Sequence, residues 1–174
     1  MAGRKKWAAT LASTLFVAAS CAAVAWADSK TYEDEVGETG RLREQTNLDI
    51  VSATASHTGA GKLKHTVTMR GGLKPNREYT RPFLFINRGD GDGGFPEWAV
   101  VGKAVFRIHY DNHDNPDFSR VGSASLTDER RTWTYKFDAA TIDSVDATYG
   151  WRVQTKKGLA EDRAPFTGWV LHNL

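Results

Sequence analysis

Two clusters of carboxylate and carboxamide side chains are the residues best suited to hold an ion. Asn87, Asp90 and Asp92 lie in one, and Asp111, Asn112, Asp114, Asn115 and Asp117 in the other. Calcium takes six to eight oxygens from carboxylates, amides and backbone carbonyls, which such loops supply. Neither loop keeps the EF-hand order. Counted from Asp90, the fifth and sixth positions are Gly94 and Phe95; counted from Asp111, the third and sixth are His113 and Pro116. The motif needs an oxygen ligand at the third and fifth and glycine at the sixth. Asp, Asn and Gly also populate turns on their own account, because they tolerate left-handed backbone and their side chains bond the local chain. Turn chemistry is the simpler reading, and a structural calcium ion on Asp111, Asp114 and Asp117 the sharper one.

The second candidate is aromatic: Trp133 and Tyr135 on one segment and Tyr149 and Trp151 on another, each pair at period two. On neighbouring strands such a stripe either fills a core, the plainer reading, or forms a platform for a flat ligand such as a sugar ring. The histidines are His57, His65, His109, His113 and His172. His109 and His113 are four apart, a spacing that converges on a helix and not on a strand running into a loop. His65 lies on the apolar face of a strand, where a neutral imidazole with one hydrogen-bonded nitrogen is expected. No G-x-S-x-G elbow, H-E-x-x-H, Walker loop or strand-borne G-x-G-x-x-G occurs. A hydrolase working through two carboxylates stays open, because the acids need only lie ~5 to 10 Å apart in space, which sequence spacing does not fix.

The elements that must position these residues are strands. Phe83 to Ile86 and Trp98 to Tyr110 are two apolar runs rich in β-branched and aromatic residues, read as a strand pair joined by a connection at Asn87 to Glu97. A single strand of ~13 residues holds its ends roughly 40 Å apart. The two Asp/Asn loops are therefore expected at opposite ends, with any calcium site inside the second alone. LDIVSATASHT from Leu48 alternates without declaring its apolar face. After the turn Gly59-Ala60-Gly61, KLKHTVTMR puts Leu63, His65, Val67 and Met69 on one face, and the two segments predict a hairpin. A strand from Val121 to Leu126 leads through the charged turn Thr127 to Arg131 into TWTYKFD, with Trp133, Tyr135 and Phe137 on one face. DAATIDSVDAT makes at most a helical turn, YGWRVQTKKG is a further alternating strand, and APFTGWVLHNL a terminal one. Six to eight strands at spacings of roughly ten residues predict an all-β antiparallel sandwich, jelly-roll or Ig-like. Its expected core is Leu63, Val67, Met69, Phe83, Phe85, Val105, Ile108, Phe137, Trp151 and Val153.

The first residues have the pattern of a secretory leader. Arg4, Lys5 and Lys6 precede an uncharged run from Trp7 to Val24, and Ala25-Trp26-Ala27 places small residues where a signal peptidase reads. Cleavage after Ala27 is expected, giving a signal peptide over 1–27, a polar arm over 28–46 and the sandwich domain over 47–174. The apolar run is also long enough for a retained membrane anchor, but its alanine content and small-x-small ending favour cleavage. Cys21, the one cysteine, lacks a lipoprotein box around it. The mature chain then has no thiol nucleophile, no disulfide and no cysteine-based zinc site, and its ~147 residues are ample for a core. Of 23 Lys+Arg against 21 Asp+Glu the leader removes three basic residues and no acidic one, leaving a net charge of −1. No basic run argues for nucleic acid or an anionic membrane surface as partner.

LDI, KLKHTVTMR, an apolar hairpin with an Asp/Gly turn, YGWRVQT and EDRAPFTGWVLHNL together resemble the uncharacterised secreted β-sandwich domains of high-GC Gram-positive bacteria. The resemblance covers most of Asn47 to Leu174, and Asp162-Arg163-Ala164-Pro165 is its most particular motif. It implies a fold and an extracellular address, and no activity, cofactor or catalytic residue. The expected function is that of a secreted, monomeric, non-catalytic binding module for a glycan or protein ligand, with a calcium-stabilised structural domain or a carboxylate hydrolase as alternatives.

Overall fold

The computed structural model describes residues 27–35, 48–71, 81–88, 94–110, 116–143, 148–157, 160–165 and 167–174. The leader through Trp26, Cys21 included, lies outside them, as do Asp90, Asp92, Asp111, His113 and Asp114. The strands among the described residues are β1 (Ala27–Glu33), β2 (Ile50–His57), β3 (Lys62–Met69), β4 (Phe83–Asn87), β5 (Trp98–Val101), β6 (Ala104–His109), β7 (Asp117–Ser123), β8 (Ser125–Glu129), β9 (Thr132–Asp138), β10 (Tyr149–Lys157), β11 (Ala160–Ala164) and β12 (Val170–His172). They form two antiparallel sheets in the orders β1-β2-β3-β9-β8 and β11-β10-β4-β5-β6-β7, with β12 also paired to β10. The fold is an all-β sandwich, as expected, with twelve strands among the described residues where six to eight were expected.

Three features account for the extra strands. The run from Trp98 to Tyr110 is two strands and not one. Gly102, at φ +59°, turns with Lys103 and folds β6 back on β5, pairing Trp98 with Arg107 and Val101 with Ala104. The ends expected 40 Å apart are neighbours: Ile108 donates its N–H to the Glu97 carbonyl at 2.8 Å, and the Tyr110 hydroxyl donates to the Pro96 carbonyl at 3.0 Å. The expected strand from Val121 to Leu126 is broken at Ala124, where the chain leaves the edge of the seven-stranded sheet (β7) for the edge of the five-stranded one (β8). Residues 28–33, expected in the polar arm, join Ala27, expected as the last residue of the leader, in an edge strand paired with β2, with Tyr32 opposite Ala53.

The alternation left open in LDIVSATASHT is resolved by a β-bulge. Ile50 pairs with Met69 and Ser52 with Thr68, so Val51 is an extra residue. The buried set then changes parity along the strand, with Leu48 and Ile50 inward before the bulge and Ala53 and Ala55 after it. β3 keeps the regular alternation its sequence has, burying Leu63, His65, Val67 and Met69.

The core lies between the sheets. Leu63, Val67, Met69, Trp133, Tyr135 and Phe137 come from one sheet, and Leu84, Ile86, Trp98, Val100, Val105, Tyr149, Trp151 and Val153 from the other. Two expected members are corrected. Phe83 and Phe85 are half-buried on the outer face of the seven-stranded sheet, and Leu84 and Ile86 take the core positions. An unbroken apolar run such as FLFI carries no period, so a one-residue shift exchanges its faces. Here the pairing of Ile86 with Trp98 and Trp151, and of Leu84 with Val100 and Val153, decides. Asp162, from the most particular motif of the sequence, ties the sheets together: its buried carboxylate accepts the Ile50 N–H at 2.6 Å and the Arg163 N–H at 2.8 Å.

Candidate functional site

The aromatic stripe is placed in the core. β9 and β10 follow each other in the chain but belong to opposite sheets, so Trp133 and Tyr135 face Tyr149 and Trp151 across the sandwich, and all four are buried. The two phenols are used inside: the Tyr135 hydroxyl donates to the Pro82 carbonyl at 2.6 Å, and the Tyr149 hydroxyl lies 2.9 Å from Nε2 of His65, whereas the indole N–H groups of Trp133 and Trp151 are buried without a partner among the described residues. Burial pushes both phenols up from their ordinary range.

His65 is the neutral core imidazole that its strand position predicts. It stacks on Phe137 and meets Trp151 edge-on, and its pKa is lowered to about 3, by burial first and by His172 second. Its other ring nitrogen, Nδ1, has no hydrogen-bond partner among the described residues. A second pair lies beside it: Nδ1 of His57 is 3.0 Å from Nε2 of His172, and the His172 ring packs against Tyr149. This pair joins β12 of one sheet to β2 of the other. His109, from β6, bonds Ser119 across the β6–β7 pair. Among the described residues no three metal-ligating groups converge. Of the calcium set only Asp117 is described, exposed at the start of β7 opposite His109.

The solvent-facing chemistry is on the outer face of the seven-stranded sheet. The alternation that sends Tyr149, Trp151 and Val153 inward sends Gly150, Arg152 and Gln154 outward, in register with Asn87, Phe85 and Phe83. Phe83 and Phe85 stack at 6.3 Å between ring centres, and across Ala99 the same row continues to Phe106, which meets Phe118 edge-on. Trp169, just before β12, folds over this face at Gly150. A Cβ on Gly150 would stand 3.0 Å from that of Trp169, so the lack of a side chain is what admits the indole. The Trp169 Nε1–H donates to the Gly94 carbonyl at 3.2 Å. The Arg152 guanidinium then lies 4.6 Å from the centre of the Trp169 ring and 5.7 Å from that of Phe85, a cation held between two π faces.

Trp169 is also a wall of an open groove of about 490 Å³, lined with Lys30 and Tyr32 from β1 and with Pro165, Thr167, Val170 and Leu171 around it. That volume falls in the range of small-ligand sites. Arg152 has no carboxylate at ion-pair distance among the described residues, and its Nε is shielded from solvent without a hydrogen-bond partner there. Its pKa is lowered by burial and by the charge of Arg163, with Tyr110 and Glu161 acting the other way. Arg163, by contrast, pairs with Glu161 at 2.5 Å.

Comparison with protein-family models, curated proteins and solved structures gives no match.

Sequence reasoning missed Arg152, Trp169 and Lys30 as a group. The signal for Arg152 was present, since YGWRVQT alternates in both directions and its second face is Gly-Arg-Gln. For Trp169 there was none, because its place over Gly150 depends on β12 pairing with β10, which no local pattern declares.

Proposed function

We propose that the protein is a secreted binding module and that its ligand is a glycan held at Trp169. The observation that carries this reading is the open groove walled by Trp169, Tyr32 and Leu171, which passes at Trp169 onto an outer sheet face lined by phenylalanines. An indole that is partly exposed and fixed by a backbone hydrogen bond offers a rigid apolar plane for a pyranose ring, and Lys30 and Thr167 beside it offer donors for ring hydroxyls. The leader-like first residues support an extracellular setting, and with a single cysteine the chain relies there on its core for stability. Affinity electrophoresis through gels holding different polysaccharides, followed by calorimetry on any that retard the protein, tests the reading. At least one should bind, and Trp169→Ala should abolish the retardation while leaving the melting transition cooperative. Retardation by no polysaccharide refutes it.

A protein partner is the second reading, favoured by Phe118 and Val121, which stand exposed on the edge strand β7. Under that reading Phe118→Ser, and not Trp169→Ala, removes binding.

A further inference from the structure

We infer that the glycan taken by this groove is an acidic one, carrying a carboxylate or sulfate that meets Arg152 while its ring lies against Trp169. The inference rests on the glycan-binding reading of the same groove and adds the charge of the ligand. Three observations carry it. Arg152 is half-buried and stacked between Trp169 and Phe85, which fixes its plane but supplies no anion, and no carboxylate reaches it among the described residues. Its Nε is buried without an acceptor there, whereas its two terminal nitrogens are not, so these are the donors that a ligand can reach. Lys30, exposed on β1, puts a second cation on the lining of the groove that Trp169 walls.

A half-buried cation with no carboxylate at ion-pair distance costs stability to maintain, even with Glu161 acting on it from farther off. Stacking offsets part of that cost, yet it leaves the edge of the guanidinium, where its N–H groups point, without acceptors. A carboxylate or sulfate oxygen supplies those acceptors in the two-pronged geometry that arginine fits. Among the described residues Arg163 has Glu161 at ion-pair distance and Arg152 has no carboxylate so close, although the Nε of each is buried without an acceptor. A neutral sugar stacked on Trp169 would leave this cation as it is, so the structure favours the acidic ligand.

The test compares three soluble polymers by affinity electrophoresis and calorimetry at fixed ionic strength: dextran as the neutral probe, polygalacturonate for carboxylate and dextran sulfate for sulfate. The full mature chain should bind one of the acidic polymers at least tenfold more tightly than dextran, and which of the two it is identifies the anion. Arg152→Gln should lose about tenfold on that polymer and nothing on dextran, with an unchanged near-ultraviolet spectrum. Lys30→Gln, at an exposed site that cannot upset folding, should lose a few fold and decides the matter if Arg152→Gln does not fold. Equal binding to acidic and neutral polymers overturns this inference and leaves the glycan-binding reading standing; binding to none of the three, or to any other polysaccharide, overturns both. An acid preference undiminished in Arg152→Gln, or undiminished in Lys30→Gln where that is the deciding variant, overturns the placement and with it the inference.

Discussion

His65 should make the fold acid-sensitive in a window that its own titration sets. In the folded chain its pKa is lowered to about 3, chiefly because burial removes water from the charged form, whereas in the unfolded chain it returns to its ordinary value near 6.5. The folded imidazole stays neutral while the unfolded one takes up a proton, so the contribution to stability is complete above about pH 6.5 and is lost as pH falls towards 3. Below the unfolded pKa the loss is ~1.4 kcal/mol per pH unit, about 2 kcal/mol between pH 7.5 and pH 5. For a domain whose total stability is of order 5 to 15 kcal/mol, that is a visible fraction. The assay is urea unfolding of the wild type and of His65→Gln at several values between pH 7.5 and 5. Gln keeps a polar group near Tyr149 but has no proton to gain, so its absolute stability falls while its dependence on pH is shallower than that of the wild type by about one proton. Every other ionisable group is common to the two proteins, and the difference between the two curves isolates His65. Parallel curves would refute the reasoning, because they would mean that the imidazole binds its proton equally in the folded and unfolded chains.

Three further outcomes follow from the packing. Trp151→Ala should cost ~3 to 5 kcal/mol in urea unfolding, whereas Phe85→Ala, half-buried on the outer face, should cost no more than about 1 to 2; equal losses would mean that the faces of β4 are exchanged. Asp162→Ala should cost ~1 to 3 kcal/mol, because the buried Ile50 N–H loses its acceptor, and Asp162→Asn should cost less because a carbonyl oxygen remains; a melting temperature unchanged in Asp162→Ala would count against this tie between the sheets. Gly150→Ala should displace Trp169 at a cost of roughly 1 to 3 kcal/mol, read as a change in indole fluorescence together with weaker polysaccharide retardation.

Where the sequence had a clean period, the structure follows it. KLKHTVTMR, TWTYKFD and YGWRVQT each bury the face their alternation marks, because one side of each strand meets the opposite sheet and a shift of register would expose all its large residues at once. Legibility ends where the period ends. FLFI is apolar at every position, so its faces were settled by partners far away in the chain. WAVVGKAVFRIHY is apolar at every other position or better, so a single glycine at positive φ looked like an ordinary member of one strand and not like a turn. The candidate site was less legible than the fold for a related reason. Aromatic residues at period two draw attention to strand interiors, and those are the positions a core takes. Trp169 and Arg152 meet only because β12 returns to β10, a pairing over nearly twenty residues that composition does not signal.

β10 carries both outcomes on one backbone, and this explains why site and stability can be separated experimentally. Its inward residues, Tyr149, Trp151, Val153 and Thr155, are all buried, while Gly150, Arg152 and Gln154 look outward in register with Asn87, Phe85 and Phe83. The outward side is completed by β12, a strand of only three residues. So short a strand cannot hold Trp169 over Gly150 by its ladder alone. Val170 and His172 fix it from the inside, the first buried opposite Trp151 and the second bonded to His57 of the other sheet. Trp169 is thus positioned by residues anchored in the core, of which Val170 also borders the groove and His172 does not, and Arg152 takes its orientation from Trp169 in turn. On the proposed reading, such a site is rigid where it would stack a ring and, among the described residues, has no carboxylate at ion-pair distance where it would offer charge, the combination that a preorganised receptor for a charged ring requires.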